Sequence, residues 1–256
     1  MYYRFSIDDN IRFLRDLSEK DHENIFSHPY LALFKRLHDK YGAKFQFNLF
    51  YSTEGFDLSQ MTDRYKSQWQ ECASWLRFSF HSLTETGFAP YIDSDYQTVF
   101  DDASRVHREI IRFAGETSLS LFTTIHYCQC SQSALCALRG AGIRGLVGLF
   151  SDVPSCYGKE YPFLSSPYIY DSASDMYYFT NDIVLNLFSA DDAIKKLSLS
   201  DNKKFIEAMI HEQYFYPDYY AYQPDFERKV EACIKHLASK GRKSIFLEEL
   251  INDSIH

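Results

Sequence analysis

The sequence predicts an α/β fold in which seven or eight mostly parallel strands close into a barrel. Three observations carry that expectation. Strand-like and helix-like segments alternate from end to end. Several of the strands show one apolar and one polar face. No low-complexity tract, repeat or Gly/Ser linker divides the 256 residues, a length ordinary for one such barrel, so residues 1–256 read as a single domain.

In chain order, "YRFSID" reads as the first strand, and "IRFLRDL" and "PYLALFKRLHDKYG" as helices, the second stopped by Gly42. The strand "KFQFNLFY", the helix "DRYKSQWQECASW" and the strand "LRFSFH" follow. The helix "DDASRVHREIIRFAG" opens on acidic residues and closes on Gly115. Next come a strand "LSLFTTIHY", a helix "SQSALCALRGAG" and a strand "IRGLVGLF". Residues 151–182, rich in Tyr, Ser and Pro, read as irregular with short strands. The helix "AIKKLSL", the strand "KFIEAMIHE", the helix "PDFERKVEACIKHLASKG" and a short strand "KSIFL" complete the chain.

The strand faces carry functional information. Phe5 and Ile7 oppose Arg4, Ser6 and Asp8; Phe45, Phe47 and Leu49 oppose Gln46 and Asn48. Leu76, Phe78 and Phe80 oppose Arg77, Ser79 and His81. Leu121, Thr123 and Ile125 oppose Ser120, Thr124 and His126, and Ile206, Ala208 and Ile210 oppose Glu207 and His211. In a barrel the apolar faces meet the helices and the polar faces converge inside. Asp8, His81, His126 and His211 then gather at the C-terminal ends of the strands, where such barrels place their active sites. An antiparallel sheet with one wet face gives the same alternation, and the intervening helices argue against it.

Composition narrows the function. The net charge of −8 and the lack of any Lys/Arg run speak against nucleic acid as a partner. No apolar stretch approaches a membrane span, and "MYYRFSIDDN" shows no export signal. Six Cys in a chain this long do not make a disulfide framework. A cytoplasmic protein is expected. The 20 Tyr suggest a cleft lined by amphipathic rings, a surface suited to sugars, although simple core packing accounts for many aromatics.

The inward residues suit metal-assisted hydrolysis. Asp9 and His81 are ligand types for a divalent ion, zinc foremost, and Glu85 four residues after His81 returns to the same side if a helical turn follows. Such an ion polarises a carbonyl and activates water. Asp8 is placed to take the water's proton and His211 to protonate the leaving group.

"FSIDDN" resembles the first motif of the polysaccharide deacetylase superfamily of metal-dependent carbohydrate esterases. The resemblance implies a distorted (β/α)7–8 barrel, with Asp8 as catalytic base and Asp9 as metal ligand. "HSLTE" is similar to the second motif, His-Ser/Thr-x-x-His, with His81 retained and Glu85 in place of the second His. "TIHY" stands where the family has Arg-x-Pro followed by Tyr or Trp: Tyr127 is kept, and Thr124 and His126 occupy the Arg and Pro positions. Arg77 is then the candidate to replace the missing Arg. "AMIHE" fits the last motif, with His211 as general acid. His126, Tyr127, Glu207 and Tyr214 are candidates for substrate binding or support.

Other readings of the same residues are structural. Asp8 and Asp9 fit a strand-end pair capping the next helix, His81 a hydrogen-bonded core residue, and His126 with Cys128 and Cys130 a separate metal cluster. His107 in "RVHREI" faces outward or packs. The expected function is metal-dependent removal of an acyl group from an N- or O-acylated sugar or related small molecule. The alternatives are a carbohydrate-binding relative without catalysis and a barrel glycosidase using two carboxylates, such as Asp8 and Glu207, whose separation a structure would test.

Overall fold

The computed structural model describes residues 1–149 and 167–253. The strands are β1 (Tyr2–Asn10), β2 (Phe45–Thr53), β3 (Phe56–Asp57), β4 (Leu76–Thr84), β5 (Phe122–Thr123), β6 (Gly145–Leu149), β7 (Ile169–Asp171), β8 (Met176–Asn181), β9 (Ile183–Val184), β10 (Phe205–His211) and β11 (Lys243–Ser244). The helices are α1 (Arg12–Glu19), α2 (Pro29–Tyr41), α3 (Lys66–Cys72), α4 (Tyr96–Ala114), α5 (Gln132–Gly140), α6 (Ala190–Ser198), α7 (Phe226–Ser239) and α8 (Leu247–Asp253). None of them is long and apolar enough to cross a membrane.

β10, β1, β2 and β4 lie side by side and parallel. β5, β6 and β8 form a second parallel group. Hydrogen bonds join the groups on both flanks: Ser120 N–H donates to the Phe78 carbonyl at 2.8 Å, and Asp182 N–H to the Glu207 carbonyl at 2.9 Å. The strands therefore follow one another around a distorted α/β barrel, as the alternation predicts. β3 and β7 are short antiparallel additions.

The outer faces explain the abundance of Phe. Phe5, Ile7, Phe45, Phe47, Phe78, Ile206 and Ile210 are fully buried. Phe13, Phe34 and Trp69 from the helices interlock with them: Phe34 meets Phe47 at 5.1 Å between ring centroids, Trp69 meets Phe78 at 5.2 Å and Phe13 meets Phe47 at 5.5 Å. Edge-to-face pairs of this kind add to the burial of large apolar area. Helix boundaries follow local chemistry. Gly42 closes α2 in the left-handed region at φ 66°, its N–H bonded to the His38 carbonyl. Asp95 caps α4 by accepting from Thr98 N–H at 2.8 Å, so that helix begins earlier than the acidic pair at 101–102 suggests.

The inner faces form a buried polar column. At its base Arg4 pairs with Glu207, to which Ser6 also donates at 3.1 Å. Gln46 donates to Asn48 Oδ1 at 2.7 Å and to the Phe122 carbonyl at 2.6 Å. Burial pushes the Glu207 carboxyl up to about 8, against the opposing pull of Arg4 and Ser6.

Two segments depart from the sequence expectation. The strand expected over "LSLFTTIHY" is reduced to a lone bridge of Leu119 with Phe78 and the pair Phe122–Thr123, after which the chain turns through left-handed residues beside the cleft. "KSIFL" gives only the pair Lys243–Ser244 before α8 begins. The irregular reading of 151–166 lies outside the described residues, while 169–171 and 176–181 are strands.

His107 is buried on α4, and burial lowers its imidazole to about 4 from an ordinary 6.5. The unfolded chain therefore takes up a proton that the folded chain refuses. Stability from this group is complete above pH 6.5 and is lost as pH falls toward 4, a change on the order of 3 kcal/mol for a shift of this size. Denaturant titrations across that range are expected to show the loss, and His107→Leu to flatten it. Arg4→Met lets the Glu207 carboxyl rise further and keep its proton, so the cost of that substitution in the same assay is expected to grow as pH rises above about 8.

Candidate metal centre

Two strand irregularities build the site. Along β1 and β2 the pairing passes from Ile7–Phe47 to Asn10–Leu49, three residues against two. The extra residue is accommodated with Asp9 at φ 62°, a left-handed conformation that Asp tolerates better than most side chains. Successive strand residues normally face opposite ways; the bulge lets Asp8 and Asp9 line the same cleft. Along β2 and β4 the pairing passes from Leu49–Phe80 to Phe50–Ser82, and the extra residue is His81. Beyond β5 a short 3₁₀ turn carries His126, with Tyr127 and Cys128 at φ 61° and 55°.

These devices bring Asp9, His81 and His126 together, their ligand atoms all within 4.8 Å of one another. Asp9 Oδ1 lies 3.0 Å from His81 Nε2 and 3.4 Å from His126 Nδ1, and the two imidazole nitrogens are 3.3 Å apart. All three residues are buried. The Phe50 ring packs against both imidazoles, at 5.2 and 5.0 Å between centroids. His81 Nδ1 is bonded to the Thr124 carbonyl, which fixes the ring and directs Nε2 to the shared point.

The electrostatics are those of an anion surrounded by imidazoles. Burial alone would raise the Asp9 carboxyl, but the charge of His211 and hydrogen bonds from His126 and His81 hold it well below the usual range. Burial likewise pulls His81 down, while the charge of Asp8 and the bond to Asp9 outweigh it and raise it. One carboxylate oxygen and two imidazole nitrogens, buried and convergent, are a donor set suited to a divalent cation.

Two acid–base groups flank the cluster. Asp8 and His211 face each other in the β1–β10 register. Asn48 donates to Asp8 Oδ1 at 2.6 Å, and His211 Nδ1 is bonded to Asn186 Oδ1 at 2.8 Å. Both residues line a cleft of about 320 Å³ together with the cluster, Tyr127, Tyr214 and an apolar wall that includes Val184, Leu187 and Met209.

The remaining expected residues are placed as follows. Glu85 is outside the cluster. β4 runs through Thr84, so no helical turn returns Glu85 toward His81; it sits at the solvent-facing rim of a neighbouring cleft, partly enclosed by Arg12, Arg15 and Glu54. Partial burial and the charge of Asp9 raise its carboxyl. Arg77 does not reach Asp8. Its Nε donates to the Ala73 carbonyl at 3.1 Å, its guanidinium covers the Phe246 ring at 4.3 Å, and Glu248 is 3.7 Å away. Asn48 holds Asp8 instead. Glu207 lies in the buried column with Arg4 and does not line the cleft, so it is not available as the partner of Asp8 in a glycosidase pair. His126 joins Asp9 and His81 rather than forming a cluster with the cysteines. Of the tyrosines, Tyr219 lines the neighbouring cleft and Tyr216 lies under the Arg12 guanidinium at 4.4 Å. Asn48, Asn186 and Gln213 were not singled out from the sequence. The inward parity of Asn48 on β2 was a usable signal; Asn186 and Gln213 sit in turns where parity says nothing.

No family model matches the chain, and no curated protein matches it. Solved structures do. A family 4 acetyl xylan esterase from Clostridium thermocellum, in complex with a cobalt ion, superimposes with a TM-score of 0.56 at 13% identity, over 98% of this chain and 91% of the other. The peptidoglycan N-acetylglucosamine deacetylase Bc1960 gives 0.53 at 11% identity, over 95% and 85%. A 4-α-glucanotransferase from Thermococcus litoralis gives 0.63 at 12% identity, over 98% of this chain and 40% of that enzyme. The barrel is thus shared by proteins of different activity, and the likeness concerns the fold. With its two mostly parallel strand groups and a cleft at the strand ends, this chain has the fold of the polysaccharide deacetylases.

Proposed function

We propose that the protein is a metal-dependent hydrolase that removes an acyl group from a nitrogen or oxygen of a sugar or related small molecule. The observation that carries this reading is the convergence of Asp9, His81 and His126 in one cleft with two further groups, Asp8 and His211, free for proton transfer. The likeness to an esterase and a deacetylase that act on carbohydrates supports the substrate class, as do Tyr127 and Tyr214 in the cleft wall.

When bound, a divalent cation supplies a polarised acyl carbonyl and a water acidified to near neutral pH. The chain supplies the rest. Asp8 accepts the water's proton at Oδ2, the oxygen that Asn48 leaves unengaged. His211, its Nδ1–H held by Asn186, donates from Nε2 to the departing nitrogen or oxygen. The water oxygen ends in the released carboxylic acid, and the sugar leaves with a free amine or hydroxyl. Val184, Leu187 and Met209 suit the apolar end of a short acyl group.

Protein purified without chelator or affinity metal is expected to carry a divalent metal close to one per chain by elemental analysis. His81→Ala and His126→Ala should each strip most of it, while Glu85→Gln should retain it. Metal retained in both histidine variants would overturn the ligand assignment. In a panel of N-acetyl and O-acetyl sugars, Asp8→Asn is expected to keep its metal and to lose about 10²- to 10⁴-fold in kcat, the range of a removed general base. An Asp8→Asn enzyme turning over like the parent would end that role.

A further inference from the structure

The two oxygens of Asp9 have different partners. Oδ1 faces the imidazoles of His81 and His126. Oδ2 accepts the side-chain N–H of Gln213 at 2.6 Å. The geometry points to Gln213 as a positioning residue that makes Asp9 a one-oxygen ligand, an inference that rests on the metal-centre reading above.

A carboxylate ligand can present one oxygen or both. At φ 62° the backbone aims Asp9 into the cleft, but it does not choose between those modes. Gln213 does so by occupying Oδ2 with a neutral donor. An amide suits the task. It satisfies the oxygen without adding a positive charge that would compete with the cation for Asp9, and it leaves the carboxylate ionised. Oδ1 is then the ligand, and a coordination position that a second oxygen would fill stays open for water or substrate.

The donor is held firmly. Gln213 belongs to the 3₁₀ turn Glu212–Phe215 that follows β10 directly. The neighbouring Glu212 is fully buried and accepts from the backbone N–H groups of Ile11, Arg12 and Phe13 at 2.7, 2.9 and 2.8 Å. The turn that carries the amide is therefore fastened to the chain segment just after Asp9. Gln213 also lines both the metal cleft and the neighbouring polar cleft of about 230 Å³ that contains Glu85. It stands on the Oδ2 side of Asp9.

The test is Co²⁺ titration of metal-free protein, read by visible absorption, for the parent, His81→Ala, Gln213→Met and Gln213→Ala. The metal-free unfolding midpoint is measured alongside. The methionine variant keeps the side-chain length and loses the donor; the alanine variant covers the case in which methionine does not pack. The expected result is a Co²⁺ dissociation constant at least about tenfold weaker in a folded Gln213 variant, the scale of a lost bond to a ligating carboxylate. A changed band intensity is expected with it, reporting a changed coordination number. A merely structural role would move the unfolding midpoint and leave the spectrum as in the parent, and that overturns the inference. So does a dissociation constant equal to or tighter than the parent's. A parent that binds Co²⁺ while His81→Ala does not separates this failure from that of the centre itself. A parent that takes up no Co²⁺ ends both.

Discussion

Helix α1 begins without a side-chain cap of its own and without an acidic residue in its first turn. Its leading N–H groups are met from the far end of the chain by the Glu212 carboxylate, which takes three of them and a hydroxyl from Tyr216 at 3.0 Å. A free helix N-terminus attracts negative charge, and a fully buried carboxylate needs donors; each meets the need of the other. The bond joins two short strings. One is Asp8-Asp9, just before α1. The other is His211-Glu212-Gln213, at the end of β10. One string carries the proposed metal ligand and proton acceptor, the other the proposed proton donor and the amide that engages Asp9. Parallel pairing of β1 with β10 sets their height, since Asp8 and His211 are register partners. Glu212 then fixes the path of the chain beyond the strands, where pairing no longer does.

Much of this was legible because the barrel has two chemically opposite faces. Phe and Ile toward the helices, and Arg, Ser, Gln, Asn, Asp and His toward the axis, reveal the inward register of β1, β2, β4 and β10, and the helices between them argue for parallel strands. The same pattern identifies Asp8, His81 and His211 as strand-end residues. It fails where the period changes. Glu85 was placed beside His81 on the assumption of a helical turn, but β4 continues past His81, and four residues along a strand carry a side chain about 13 Å away. Arg77 faces the right way and sits at the wrong end of its strand. His126 was seen as inward-facing, yet its part in the cluster depends on a turn through Tyr127 and Cys128 at positive φ, which neither residue type announces.

The bulges show how the fold reconciles close packing with a crowded cleft. A regular strand offers one inward side chain in every two. At Asp9 and at His81 the chain spends an extra residue and interrupts the ladder. Side chains that regular alternation would keep apart are thereby brought around one point. The regular parts of the same strands keep their apolar faces against α2 and α4, so the distortion stays at the rim.

The three members of the cluster lie far apart in sequence, 72 residues between Asp9 and His81 and 45 between His81 and His126. No stretch of the unfolded chain holds them together. A cation taken up by this group thus distinguishes native from denatured molecules almost completely. Its free concentration becomes a thermodynamic lever on folding: at a hundred times the dissociation constant, mass action adds about 2.7 kcal/mol to the native state. A cell that varies its supply of such an ion would then set how much of this chain survives proteolysis.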